Sequence, residues 1–177
     1  MINKMKIHLI CPVRGVTEEQ QKEIDDYAKS LEAEGHTVHN PKYAVDQDDA
    51  TGYRICWGHL ESMRNANRAD IFWDVNSKGS HFDVGMAFAL NKAIKFVKAY
   101  QQDNEGKSYL KVIQEIEKET IRQQKVMNAY PVLIQRQKDL KLEAVKAQNF
   151  EKATEARQRE KDLSDSYECA KLHFNLK

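Results

Sequence analysis

The sequence predicts an α/β protein: a parallel sheet flanked by helices, followed by an all-α C-terminal helical hairpin. Three observations carry this expectation. Strand-sized apolar runs alternate with helix-period segments through residues 1–100, the pattern of strands joined by crossover helices. A polar stretch, Gln101-Gln102-Asp103-Asn104-Glu105-Gly106, then interrupts the chain. Beyond it there is no glycine, and Lys, Glu and Gln dominate, a composition that favours helix.

The elements follow in order. A first strand covers about residues 5–11 and stops at Pro12. Thr17-Glu18-Glu19-Gln20 has the capping-box pattern that opens a helix. Ile24, Tyr27, Ala28 and Leu31 recur at the spacing of one helix face, and Gly35 ends that helix. His36-Thr37-Val38-His39 reads as a short second strand before Asn40-Pro41, and a helix is expected from near Ala50 to Ala66. Residues 69–75 form the next strand, a helix containing Asp83 follows, and Ile94-Lys95-Phe96-Val97 is a last short strand.

In the C-terminal part, Tyr109, Ile113, Ile116, Thr120, Gln123 and Met127 recur at three-and-four spacing, which predicts one long helix up to Ala129-Tyr130-Pro131. Asn149 suits a turn, and Phe150, Ala153, Thr154 and Arg157 are expected to share a face of the helix after it. The segment from Leu140 through Asn149-Phe150-Glu151-Lys152-Ala153 and Arg157 to Leu163 resembles a UVR motif. That motif occurs in nucleotide-excision-repair proteins and in the middle region of a Clp-type ATPase, and the resemblance implies an antiparallel hairpin used for protein contacts. The expected organisation is an α/β domain over 1–100, a linker and connecting helix over 101–131, and the hairpin over 132–177.

Composition narrows the function classes. Of 177 residues, 31% are charged and 41% hydrophobic, a soluble globular balance. No apolar run is long enough to span a bilayer, and Met1–Lys6 leads into a strand without the apolar core of a signal peptide. A net charge of +1 gives no global attraction to nucleic acid or anionic lipid, so a small-molecule ligand is expected. Cys11, Cys56 and Cys169 are odd in number and widely spaced, which suggests neither a disulfide framework nor a zinc site but reduced cytoplasmic thiols. No cofactor and no metal is expected. His36 and His39 would face opposite sides of a strand and could not share an ion without another ligand.

The stretch Ser77-Lys78-Gly79-Ser80-His81-Phe82-Asp83-Val84-Gly85 is the main functional candidate. It follows the apolar run Ala69–Trp73 and leads into Met86–Leu90, so it reads as a strand, a small-residue turn and a helix start. Such a helix presents unpaired N–H groups at the carboxyl edge of a sheet, where anions bind. Asp83 is expected in the first turn, held as a carboxylate by the helix dipole. The rival reading makes Ser80-His81-Phe82-Asp83 a capping box, with Asp83 bonded to the Ser80 N–H.

Ser77, Gly79, Asp83, Val84 and Gly85 resemble the active-site turn of the nucleoside 2-deoxyribosyltransferases and the related deoxynucleoside 5′-monophosphate N-glycosidases. The first strand and its loop, Ile7 through Cys11-Pro12-Val13-Arg14-Gly15, is similar to the opening of the same family, notably in its Arg-Gly pair. The resemblance spans residues 5–98. It implies a flavodoxin-like fold, cleavage of an N-glycosidic bond, and a homo-oligomer whose neighbouring subunit completes the site. Two departures stand out. The family's nucleophile is usually glutamate, one methylene longer than Asp83, and where the family places an aspartate in the preceding helix this chain has Ser62, with His59 one turn earlier.

These residues suggest a division of labour. Asp83 is the candidate nucleophile, because a carboxylate beneath the sugar carbon stabilises or traps the developing positive charge. His59, His81 and Asp74 are candidate proton donors for the departing base. Arg14 can grip a phosphate in fork geometry, Gly15 lets backbone approach a ligand, and Ser77 with the N–H groups near Gly79 and Ser80 completes an anion pocket beside Cys11. A serine at 77, where the transferase branch is usually acidic, favours a nucleotide over a nucleoside. Trp57, Trp73, Phe72 and Phe88 are expected in the core. The leading expectation is an N-glycosidase or base-transferring enzyme. The alternative is a non-catalytic nucleotide-binding sensor whose hairpin reports occupancy to a protein partner.

Overall fold

The computed structural model describes residues 4–101 and 106–173, and the side chain of every one of them except His173. The central four residues of the expected linker lie outside that range. Four strands, β1 (Lys6–Ile10), β2 (Thr37–His39), β3 (Arg68–Trp73) and β4 (Ala93–Ala99), form one parallel sheet in the order β2-β1-β3-β4. Between them lie α1 (Glu18–Ala33), α2 (Pro41–Ala44), α3 (Tyr53–Asn65) and α4 (Lys78–Ala89), and after them α5 (Tyr109–Lys146) and α6 (Phe150–His173). The chain thus has the expected parallel sheet flanked by helices and the expected C-terminal hairpin. None of the described helices is long and apolar enough to cross a membrane.

Local chemistry sets the boundaries. Thr17 caps α1 by accepting from the Gln20 N–H, and the Gln20 side chain accepts in return from the Thr17 N–H, so the capping box is complete. Helix α3 starts at Tyr53, three residues later than expected, because the Asp49 carboxylate gathers the N–H groups of Thr51, Arg54 and Ile55 and Gly52 turns left-handed at φ 74°. The short α2 has no counterpart in the predicted elements; Asn40 accepts from the Lys42 N–H and Pro41 fills its first position.

Alternate residues of β1 feed opposite faces of the sheet. Ile7, Leu9 and Cys11 join Phe72 and the α1 face of Ile24, Ala28 and Leu31. Ile10 joins Ile71, Trp73, Met63, Val84, Ala87 and Ile113 on the other side. Burying a side chain such as Ile24 or Met63 contributes about 1.5–3 kcal/mol. Of the four aromatics expected in the core, Trp73 and Phe72 are buried, but Trp57 is 50% and Phe88 65% exposed. Both lie on the outer faces of α3 and α4, where helix periodicity, not residue type, decides burial.

The first compact unit runs to Lys118 and so passes the expected boundary at residue 100. Ile113 is fully buried in the sheet core, and the Glu117 carboxylate accepts from the Phe96 N–H at 2.8 Å. The first turns of α5 are therefore part of the α/β domain.

The second unit, Glu119–Lys177, is a hairpin of the rest of α5 and α6. Its turn closes with the Gln148 N–H on the Val145 carbonyl, the Asn149 N–H on the Ala144 carbonyl, and Gln148 at φ 55°, a Schellman arrangement. Asn149 then caps α6 through the Lys152 N–H. Ala144, Ala153 and Ala156 are buried, and Lys141 bonds Glu160 at 2.6 Å. Two expectations are corrected. Helix α5 does not end at Pro131 but runs through it, since one missing N–H is tolerated where good helix formers continue on both sides. Phe150 is 69% exposed and Arg157 is also exposed; the inward stripe is Ala153, Ala156 and Glu160, so the face turned to the partner helix lies one residue away from the expected one.

Candidate active site

The strand order places the reversal of connection between β1 and β3, and ligands of open α/β sheets bind outside the carboxyl ends of the strands at such a point. Two loops meet this edge. The one after β1 carries Cys11, Arg14 and Gly15, and the one after β3 carries Asp74 and Ser77 and leads into Gly79 and Ser80. Arg14 is exposed, and Gly15 holds φ +74° with nothing within 4 Å of the place a Cβ would take.

Ser77 is the N-cap of α4. Its Oγ accepts from the Ser80 N–H at 3.3 Å and lies 2.8 Å from the Ser80 Oγ. The N–H groups of Lys78 and Gly79 precede the first intrahelical bond. Ser80 is only 1% exposed, so its hydroxyl is spent on Ser77. A cap at Ser77 puts Asp83 sixth in the helix, in its second turn. That removes the capping-box reading and also corrects the expected first-turn placement, because the dipole effect fades beyond the first turn.

Asp83 is 4% exposed and is held by a histidine instead of a helix end. His59 Nδ1 stands 3.0 Å from one carboxylate oxygen and 3.2 Å from the other. A carboxylate only accepts, so His59 Nδ1 carries the proton. His59 and Ser62 are one turn apart on α3, and Ser62 Oγ lies 2.9 Å from His8 Nδ1 in the sheet. His8, in mid-β1, pairs in register with His39 of β2, and their rings stack at 4.7 Å. The His59 ring meets both edge-on, at 5.7 Å and 6.0 Å. Burial, reinforced by the His39 and His59 charges, pushes His8 down to about 3, so it is neutral at physiological pH. Burial likewise lowers His39.

The remaining candidates are placed elsewhere. His81 donates through Nδ1 to the Ser77 carbonyl at 2.8 Å, and its ring packs on Trp73 at 4.5 Å and on Tyr109 at 5.4 Å. Asp74 accepts from the Asn76 N–H at 2.8 Å. Burial, followed by the charges of Asp83 and Asp25, pushes the Cys11 thiol up to about 12, which leaves it a packing group without nucleophilic character. A depression of about 510 Å³ beside the β1 loop is lined by Val13, Val16, Thr17, Lys22, Asp25 and Lys42 among others, and contains none of the predicted site residues.

Sequence reading did not single out His8 or the His39 contact. The available signal was a histidine inside an otherwise apolar strand, Ile7-His8-Leu9-Ile10, in a sheet covered on both faces.

Comparison with known proteins gives a match to the UVR (UvrB/uvrC motif) family model over residues 132–166, within the hairpin. No curated protein matches the chain. Among solved structures, the CMP N-glycosidase of Clostridium botulinum superimposes with a TM-score of 0.44 at 21% identity, covering 63% of this chain and 81% of that one. The 2-deoxyribosyltransferase of Bacillus psychrosaccharolyticus gives a TM-score of 0.47 at 19% identity, covering 60% and 89%.

Proposed function

We propose that the α/β domain binds a nucleotide or nucleoside at the β1–β3 edge and breaks its N-glycosidic bond, with Asp83 as the carboxylate that meets the sugar carbon. The observation that carries this reading is the Asp83–His59 pair, 3.0 Å apart and buried, next to a capped helix start at the topological switch point. In the proposed reaction Asp83 forms a bond to the sugar carbon while the C–N electron pair leaves with the base, which takes a proton. Water or a second base then attacks the same carbon and releases the carboxylate, giving hydrolysis or base transfer. His59 donates to Asp83 and fixes its orientation. Arg14, Ser77 and the Lys78 and Gly79 N–H groups take a 5′-phosphate.

A panel of nucleoside monophosphates and nucleosides, followed by chromatography for free base, tests this reading. Asp83→Asn should abolish release while keeping ligand affinity within about tenfold, since the amide keeps shape and loses charge. Full activity in that variant removes Asp83 from the mechanism.

A second reading is favoured by the burial of Asp83: at 4% exposure with both oxygens on His59, the carboxylate suits a binding module whose chemistry has been lost. In that case the panel yields binding without base release. Under either reading the UVR hairpin is proposed to carry contacts with a second copy of the chain or with a protein partner.

A further inference from the structure

We propose that His8, His59 and Asp83 form a binding site for one divalent transition-metal ion of the zinc class. One ligand atom from each lies within 4.8 Å of the other two, and all three residues are buried. They come from β1, α3 and α4, so the set is built by the fold and not by local spacing.

The second observation is the state of the ring nitrogens. The Nε2 atoms of His8 and His59 are buried with no hydrogen-bond partner, and so is that of His39. Buried polar atoms in folded proteins are nearly always satisfied. His8 is completely inaccessible and His59 is 8% exposed, so bulk solvent does not compensate them. His8 Nδ1 is anchored on Ser62 Oγ, which leaves its Nε2 to ligate, whereas His59 Nδ1 and Asp83 touch each other, so an ion taken up between those two replaces their hydrogen bond and releases the Nδ1 proton to solvent. For His8, one tethered and one bare nitrogen is the arrangement of a metal-ligating histidine, whose outer partner, here Ser62, fixes ring orientation. A purely structural histidine cluster would leave no such surplus of unpaired nitrogens.

Two imidazoles and one carboxylate suit zinc, cobalt or iron over magnesium or calcium, which prefer all-oxygen sets. Bonds of about 2.0–2.1 Å place tetrahedral ligand atoms roughly 3.3 Å apart, so the three side chains close inward by about 1 Å on loading. This goes beyond the proposed base release and constrains it: an ion on Asp83 takes up the carboxylate that reaction needs.

The test uses the full chain, stripped with chelator and titrated with Co²⁺ and with Zn²⁺. Wild-type protein should take up one Co²⁺ per chain with a visible absorption band, and Zn²⁺ should shift the ring-nitrogen resonances of His8 and His59 but not those of His36, which accepts from the Met5 N–H. His8→Gln and Asp83→Asn should each weaken Co²⁺ binding by more than about 100-fold, beyond the 10–100-fold that loss of an outer partner costs. His36→Gln and Arg14→Ala should bind as wild type. Absence of saturable binding, binding unchanged in both ligand variants, or unmoved His8 and His59 resonances each overturns the site. If a ligand variant does not fold, the wild-type resonances alone decide. None of these readouts involves base release, so a failed glycosidase reading and a failed metal site are distinguishable.

Discussion

His59 Nδ1 lies 3.0 Å from Asp83 Oδ2 with both side chains shielded from solvent. A buried carboxylate deprived of a strong donor such as His59 is expensive, typically by about 3–5 kcal/mol. His59→Phe should therefore lower unfolding free energy by that order in urea titrations. Adding Asp83→Leu to His59→Phe should recover much of the loss, because the uncompensated charge is then gone. A double variant no more stable than the single one would place the cost in packing around α3 and leave the pair without energetic weight.

Phosphate recognition is proposed to run through the exposed Arg14 and the open start of α4. Arg14→Ala should weaken a 5′-monophosphate by about 1.5–3 kcal/mol and leave the matching nucleoside nearly unchanged. Gly79→Ala is a complementary probe. A Cβ at Gly79 meets nothing within 4 Å, so the free protein should be as stable as wild type or more so, while ligand binding should fall if a phosphate approaches that backbone. Calorimetry with both ligands separates the outcomes; equal losses for nucleotide and nucleoside would contradict the assignment.

Three groups predict alkaline sensitivity. Cys11 is pushed up to about 12 by burial, then by the Asp83 and Asp25 charges. Tyr27 is raised by burial and its bond to Asp70, and Tyr100 by burial and the Glu23 charge. Each folded-state value lies above the unfolded one, so the unfolded chain releases its proton first. Their stabilisation is complete below about pH 9 and is lost as pH climbs toward 12, at about 1.4 kcal/mol per pH unit from the buried Cys11. Urea midpoints measured between about pH 8 and 10.5 should fall, and Cys11→Ala should flatten the slope. An identical slope in that variant would show that the Cys11 thiol of the wild-type protein is not held up by burial.

The hairpin separates folding from contact. Ala156 is 6% exposed in the buried stripe, whereas Phe150 is 69% exposed. Ala156→Asp should reduce helical circular dichroism by burying a charge in the seam. Phe150→Asp should cost less than about 0.5 kcal/mol, as an exposed substitution does, and change oligomeric mass or partner capture if that face is the contact surface. Light scattering reads the self-association version directly, and unchanged mass would leave contacts to a different protein or a different face.

Much of this architecture was legible locally. The Thr17 capping box, the Ile24–Leu31 face, the Asn149 turn and the alternation of strands with helices all rest on interactions among residues a few positions apart. The Ser77–Gly85 turn was legible for the same reason, down to the helix that it opens. Pro131 misleads because a single missing N–H resembles a terminus, and Phe150 because a stripe read one residue out of register exchanges its buried and exposed sides. What only the tertiary structure decided is the partner of Asp83. Sequence offered the Ser80 N–H as a partner for Asp83 and named His59, His81 and Asp74 only as candidate proton donors; the packing of α3 against α4 put His59 on Asp83, and the Ser77 carbonyl with Trp73 took His81. The pairing of His8 with His39 depends on strand register, a long-range quantity that no local spacing encodes. Sequence therefore determined which elements form, since those are short-range choices of backbone and side chain, while the sheet and helix packing determined which buried polar groups meet.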